Sequence, residues 1–243
     1  MSDIGMEAAV RQPWLSGLAV IVGASGGIGR AMCGALAGNG FPGTVIGLSR
    51  TSEPSMDLLD EASIEAAARH ISSLGQPVRF VFLATGFLHN DGHRPERSLR
   101  DLSAAHMAKA YALNTIGPSL VLKHLTPLLP REGRSVVATL SAKVGSIGDN
   151  HLGGWHSYRA SKAALNQVIH TAAIELKRSR PEAICVALHP GTVDTKLSAP
   201  FSKAGLNVRP PEVAARELLE VIEGLTTEDS GGFFDYAGWP LPW

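Results

Sequence analysis

Short runs of Val, Ile and Leu recur along the chain, each bounded by glycine, proline or charge: Leu18–Val22, Thr44–Leu48, Val78–Leu83, Ser135–Leu140 and Ile184–Leu188. These runs are largely apolar instead of alternating, as strands buried on both faces of a parallel sheet are. A shorter strand candidate lies at Gly232–Tyr236. Between the runs, MCGALAG, EASIEAAARHISSL, AAHMAKAYALNTIGPSLVLKHLTPLL and SKAALNQVIHTAAIELK carry apolar residues at helical spacing. Strand and helix alternate throughout. That predicts an α/β protein with one doubly wound parallel sheet, helices on both faces, and a single domain over residues 1–243. One long irregular connection, HPGTVDTKLSAPFSKAGLNVRPP, precedes the last helix, which begins near Pro211. Residues 191–210 within it read as a substrate-side lid.

Composition narrows the class. A chain of 243 residues, 44% of them hydrophobic, can bury one sizeable core. Its 22 basic and 22 acidic residues balance, which gives no reason to expect a nucleic-acid partner or an anionic membrane surface. Cys33 and Cys185 lack the density of a disulfide scaffold and the clustering of a metal site. The start, MSDIGMEAAVRQP, lacks a basic segment followed by an apolar one, and no unbroken apolar run reaches about 18 residues. A cytoplasmic protein without a membrane segment is the expectation.

The run Leu18–Val22 opens into VGASGGIGR. Glycines between a strand and a helix permit a tight turn and close approach of a pyrophosphate, and the free amides of the following helix face the anion. Gly23, Ser25, Gly27, Ile28, Gly29 and Arg30 are therefore candidate dinucleotide contacts; a purely structural turn is the competing reading. At the end of the second strand, where an acidic residue would select NAD(H), the chain has Ser49 and Arg50. A guanidinium can pair with a 2′-phosphate, so NADP(H) is expected over NAD(H), with Arg30 assisting. An ordinary surface role for Arg50 is the alternative.

Further along, Tyr158 and Lys162 stand four residues apart on a helical pattern and share a face. A tyrosine titrating near ~10 needs a neighbouring cation to exchange protons at neutral pH. Lys162 is expected to lower that value and to hold a ribose hydroxyl. Tyr158 then gives its proton to a carbonyl oxygen, or takes it back in the reverse reaction. A YxxxK pair alone is weak; placed after a nucleotide-binding turn it becomes strong.

Taken together, GASGGIG, DLLD, ALNTIGP, YRASK and HPGTVDT resemble the motifs of the short-chain dehydrogenase/reductase family over nearly the whole chain. Within it, LATGFLHNDG, SAKVGSIGDN, GGWHSYRASKAALN and FFDYAGWPLPW resemble the C-factor-like oxidoreductases. The resemblance implies a Rossmann-type fold and an NADPH-dependent carbonyl reductase or alcohol dehydrogenase working as a homodimer or homotetramer. It implies an adenine-side role for Asp57, and cofactor contacts from Ala84 and Gly86 and from Pro190, Gly191, Val193 and Thr195. Asn114 falls where the family keeps a helix asparagine beside a water that relays protons to the lysine. Asparagine competes for backbone bonds and Pro118 removes a donor, so the helix is expected to open there.

Two departures stand out. The family's substrate-orienting serine position aligns with Ala142, leaving Ser141, Ser146 or neither as the third catalytic group. A serine one position off an extended segment tends to face the other way. LATG also replaces the family's NNAG. On the substrate side, Trp155, Phe87, Leu88, Val193, Leu197, Phe201 and Leu206 suggest an apolar rim and an apolar carbonyl or alcohol substrate. His89, His93, His151 and His156 lack a close set of acidic partners, so no metal is expected. The aromatic end Trp239–Trp243 is expected at a subunit interface or near the pocket. A different class, a cofactor-binding regulatory or signalling protein with vestigial activity, fits Ala142 and LATG.

Overall fold

All five side chains of strand β1 (Leu18–Val22) are buried, because the sheet is covered on both faces. Leu18, Val20 and Val22 face one core, while Ala19 and Ile21 face the other. The computed structural model describes residues 16–38, 41–90, 92–201 and 207–243. After β1 come α1 (Gly27–Gly38), β2 (Thr44–Leu48), α2 (Glu61–Ser73), β3 (Val78–Leu83), α3 (Ala104–Tyr111), α4 (Gly117–Leu125) and β4 (Ser135–Leu140). The chain continues through α5 (His156–Ser179), β5 (Ala183–His189), β6 (Thr192–Val193), β7 (Val208–Arg209), α6 (Pro211–Gly224) and β8 (Phe233–Asp235).

Six of these strands form one sheet in the order β2-β1-β3-β4-β5-β8. Every neighbouring pair is parallel; Val20, for example, lies between Ile46 and Val81. This is the doubly wound Rossmann-type α/β sheet expected from the alternation. Helices α2, α4 and α5 cover one face, with Ile64, Val121 and Ile169 fully buried. Helices α1 and α6 cover the other, through Met32, Leu36, Leu218 and Ile222. In α2, Ile64, Ala67, Ala68 and Ile71 make the buried stripe that the helical spacing announced.

The chain leaves β1 for β2 on one side and later returns to β3 on the other. Strand order reverses there, and a crevice opens beyond the carboxyl ends of β1 and β3. The glycine turn and Ala84–Gly86 lie at that opening.

The segment expected as one long helix after Ala104 is not uniform. Between α3 and α4, Ala112–Ile116 form a π-helical turn, and Gly117 N–H donates to Ala112 O, five residues back. Pro118 has no N–H to offer the carbonyl of Asn114, so the ladder opens as its composition suggested.

Among the described residues no helix is long and apolar enough to cross a membrane. The opening MSDIGMEAAVRQP lies outside them. Cys33 is half-buried and Cys185 buried, both as free thiols. The C-terminal end folds back on its own chain: Trp243 stacks on Phe233 with ring centres 5.6 Å apart and meets His170 edge-on, while Trp239 stays 71% exposed.

Candidate active site

At the crevice the glycine turn packs tightly against itself. A Cβ on Gly29 would collide with the carbonyl of Gly23, so α1 can start this close to β1 only without a side chain there. Gly23 adopts φ 89°, a left-handed conformation that other residues rarely take. Beyond the turn lies a cavity of about 1250 Å³. Ser25, Gly27, Ile28 and Arg30 of the turn and α1 line it together with Ala84 and Gly86, Tyr158 and Lys162, and Pro190 and Thr195. A Cβ placed on Gly86 would lie 3.3 Å from Leu197, 3.9 Å from Asn114 Oδ1 and 4.0 Å from Lys162 Nζ. Sequence-distant parts of the candidate centre thus converge on one bare stretch of backbone.

Tyr158 and Lys162 are 8% and 2% exposed. The ammonium donates to Leu140 O at 2.9 Å, at the end of β4. Burial disfavours the charged form of both groups: it raises the tyrosine and brings the lysine down to about 7. Desolvation sets both directions.

Asn114 is completely buried. Its Oδ1 accepts from Phe87 N at 2.7 Å, and its Nδ2 donates to Phe87 O at 2.8 Å and to Ser161 Oγ at 3.0 Å. It therefore stitches the loop after β3 to α5. Ser141 borders the cavity, but its hydroxyl donates to Asn166 Oδ1 at 2.5 Å. Ser146 Oγ instead donates to Trp243 O at 3.3 Å and accepts from Asp149 N at 3.1 Å. The residue packed with Tyr158 and Leu88 is Ala142.

Residues 17–205 match the family model for short chain dehydrogenase. The chain belongs to that family. It is 37% identical over 147 residues to the C-signal of Myxococcus xanthus, covering 60% of this chain and 84% of that one. It is 35% identical over 193 residues to 1-hydroxy-2-glutathionyl-2-methyl-3-butene dehydrogenase of Rhodococcus sp. (strain AD45), covering 79% and 80%. The fold is shared with NADPH-bound carbonyl reductase from chicken fatty liver, at a TM-score of 0.81 and 23% identity over 93% of this chain and 98% of that chain. It is likewise shared with the carbonyl reductase Sniffer of D. melanogaster, at 0.80 and 22% over 93% and 99%.

Other residues expected at the site of this short-chain dehydrogenase family member lie off the cavity wall. Ser49 Oγ is 3.2 Å from Thr51 Oγ1, Arg50 is exposed, and Asp57 Oδ1 accepts from Leu59 N at 3.0 Å. Gly191, at φ 73°, sits beneath Arg209 and Tyr236; Val193 is buried. Phe87 turns toward α3, its ring under Lys109 Nζ at 5.1 Å, and leaves the apolar rim to other residues. Leu206 lies outside the described residues. Among the described residues, no group of three or more His, Cys, Asp and Glu could hold a metal ion.

Sequence reasoning missed Glu96. Trp155 begins α5 in the left-handed region, at φ 52° and ψ 40°, and offers no capping side chain. That backbone costs roughly 1–2 kcal/mol in a non-glycine residue. Glu96, from the loop after β3, fills both needs. Its carbonyl accepts from Trp155 N at 2.6 Å, and its carboxylate accepts from Ser157 N at 3.2 Å and from the Ser157 hydroxyl. Burial opposes the charge on this 3% exposed group, but the Ser157 hydroxyl and amide and His106 together hold its pKa below the usual carboxylate value. A Pro-Glu-Arg sequence in a loop carried no signal that its glutamate caps a helix 61 residues away.

Proposed function

We propose that the protein is an NADP(H)-dependent carbonyl reductase, or alcohol dehydrogenase in reverse, with Tyr158 as its acid–base group. The observation that carries this reading is the burial of Tyr158 and Lys162 side by side on one helix, in the wall of the same cavity that the glycine turn opens. The residues present fit a dinucleotide. The cavity of about 1250 Å³, lined by bare backbone at Gly27 and Gly86, leaves room for it, and the start of α1 supplies amides for a pyrophosphate. Bound there, a dihydronicotinamide would supply hydride to the carbonyl carbon. Tyr158, kept protonated by burial, donates its proton to the carbonyl oxygen as charge develops. Lys162, brought down to about 7, exchanges a proton at neutral pH and so replenishes the tyrosine. The side chain of Asn114 is committed to Phe87 and Ser161; its carbonyl, which Pro118 cannot bond, is the atom that can accept from a relaying water. Because the hydroxyls of Ser141 and Ser146 are committed elsewhere, Tyr158 orients the carbonyl oxygen alone.

Arg30 and Arg50, with no acidic residue at Ser49, support NADP(H) over NAD(H), and the NADPH-bound relative of the same fold agrees with that choice. Likeness to C-signal supports the C-factor-like subgroup; a homodimer or homotetramer is what that resemblance implies. The apolar surroundings of Tyr158, formed by Leu88, Ala142, Val144, Trp155, Leu197 and Phe201, favour an apolar carbonyl compound. Ala142 beside Tyr158 favours one alternative, an NADP(H)-binding signalling protein with vestigial turnover.

Titration of the purified protein with NADPH and NADH, followed by nicotinamide fluorescence, tests the foundation. We expect NADH to bind at least about tenfold more weakly, a gap of ~1.4 kcal/mol. Failure of the folded protein to bind either would overturn the reading.

A further inference from the structure

The segment from Thr195 to Phe201 borders the cavity, with Thr195, Lys196, Leu197 and Ala199 on its lining. Thr195 Cγ2 stands 2.9 Å from where a Cβ on Gly27 would be, and Leu197 Cδ1 stands 3.3 Å from the same point on Gly86, so both glycines leave the space that these side chains approach. The segment's tether is polar. His89 Nε2, on the loop after β3, lies 3.2 Å from Lys196 O and 3.1 Å from Leu197 O. Both partners are carbonyls, which only accept, so Nε2 carries the hydrogen and shares it between them.

The histidine also completes a row of rings. His89 meets Phe201 edge-on at 5.4 Å and 69°, Phe201 meets Trp155 at 5.1 Å and 64°, and Trp155 meets Tyr158 at 6.2 Å and 74°. Edge-to-face contacts of this kind favour defined ring orientations over mere apolar filling. The row runs from the loop after β3, through the bridging segment, to the reacting hydroxyl. A substrate whose carbonyl oxygen reaches Tyr158 must place its flanking group beside these rings. The bridging segment turns on itself as well: Ser198 N and Ala199 N both donate to Thr195 O.

We propose that His89 is a positioning residue that fastens this segment over the cavity, and that the ring row so assembled selects carbonyl compounds with a flat, aromatic group next to the carbonyl. The selectivity half rests on the carbonyl reductase reading; the fastening half does not.

The test combines two readouts on the full-length wild type, His89→Ala and His89→Gln. The glutamine amide nitrogen replaces Nε2 as donor but removes the ring. The first readout is tryptic cleavage at the Lys196–Leu197 bond, mapped by mass spectrometry at matched fractions of each protein's thermal midpoint. Losing the shared hydrogen bond should speed cleavage there by about five- to tenfold in His89→Ala, and His89→Gln should return to within about twofold of wild type. The second readout is kcat and KM for paired aryl and short aliphatic ketones with NADPH. The preference for the aryl member should fall by about tenfold in His89→Ala, through KM, while kcat for the aliphatic member stays within about twofold. In His89→Gln, cleavage should recover and the aryl preference should recover only in part, because the edge contact to Phe201 is gone. Unchanged cleavage in a folded His89→Ala protein overturns the fastening, and an unchanged aryl preference overturns the selectivity. Absence of turnover by wild type on every ketone is a distinct result: it removes the carbonyl reading and its selectivity, and leaves the cleavage rates to decide the latch.

Discussion

The two ends of the cavity are built by different means. At the glycine turn, Gly23, Gly27 and Gly29 lie within seven consecutive residues and act through backbone shape. At the tyrosine end, Tyr158 is set by parts scattered along the chain: Glu96 caps its helix, Asn114 ties that helix to Phe87, and Trp155 meets its ring edge-on with Phe201 behind it. The first end is local, and its geometry tolerates no added atoms. The second is a set of long-range side-chain contacts. A nucleotide site of the first kind is legible from a short motif. A substrate site of the second kind has to be seen assembled.

Substitutions should separate the two ends sharply. The largest effect is expected from Gly29→Val, whose side chain would collide with the Gly23 carbonyl and push α1 off β1. NADPH affinity should drop by about a hundredfold or more, roughly 2.7 kcal/mol, in a protein that retains its far-ultraviolet circular dichroism. Retained affinity would mean that the turn does not hold the phosphates. Next in size, Glu96→Ala leaves the Ser157 amide without its acceptor in a buried place. A loss of about 1–3 kcal/mol in urea unfolding is expected, with NADPH affinity changed by less than about threefold. A comparable loss of cofactor affinity would show that the ends are coupled instead of separate. The smallest effect belongs to Ser141→Ala. Its hydroxyl is engaged with Asn166, so kcat/KM should fall by less than about threefold. A fall of a hundredfold would return Ser141 to the role of carbonyl donor.

Legibility followed the same division. Strands such as Val78–Leu83 could be read because a sheet covered on both faces admits little but apolar residues. The Tyr158–Lys162 pair was visible because helical spacing puts residues four apart on one face. The opening of the helix at Asn114 was foreshadowed by Pro118 and appears as the π-helical turn Ala112–Ile116. Other features depended on rotamer and tertiary contact. Phe87 sits on the edge of the predicted rim but turns to Lys109, and nothing in its neighbours' identities says so. The partner of Glu96 lies 61 residues away, and the pull of Asn166 on Ser141 spans 25. Even the direction of the titration shifts at Tyr158 and Lys162 followed from how deeply the pair is buried, a quantity that spacing does not contain.

Removal of one oxygen tests the central claim most directly. Wild type and Tyr158→Phe would be compared for NADPH oxidation at 340 nm with a panel of apolar ketones and aldehydes, each with its NADPH affinity measured in parallel. Tyr158→Phe is expected to bind NADPH within about threefold of wild type and to lose turnover by about 10²–10⁴-fold, the usual contribution of a positioned proton donor. Turnover preserved in Tyr158→Phe would contradict the claim and move the acid to another group on the cavity wall.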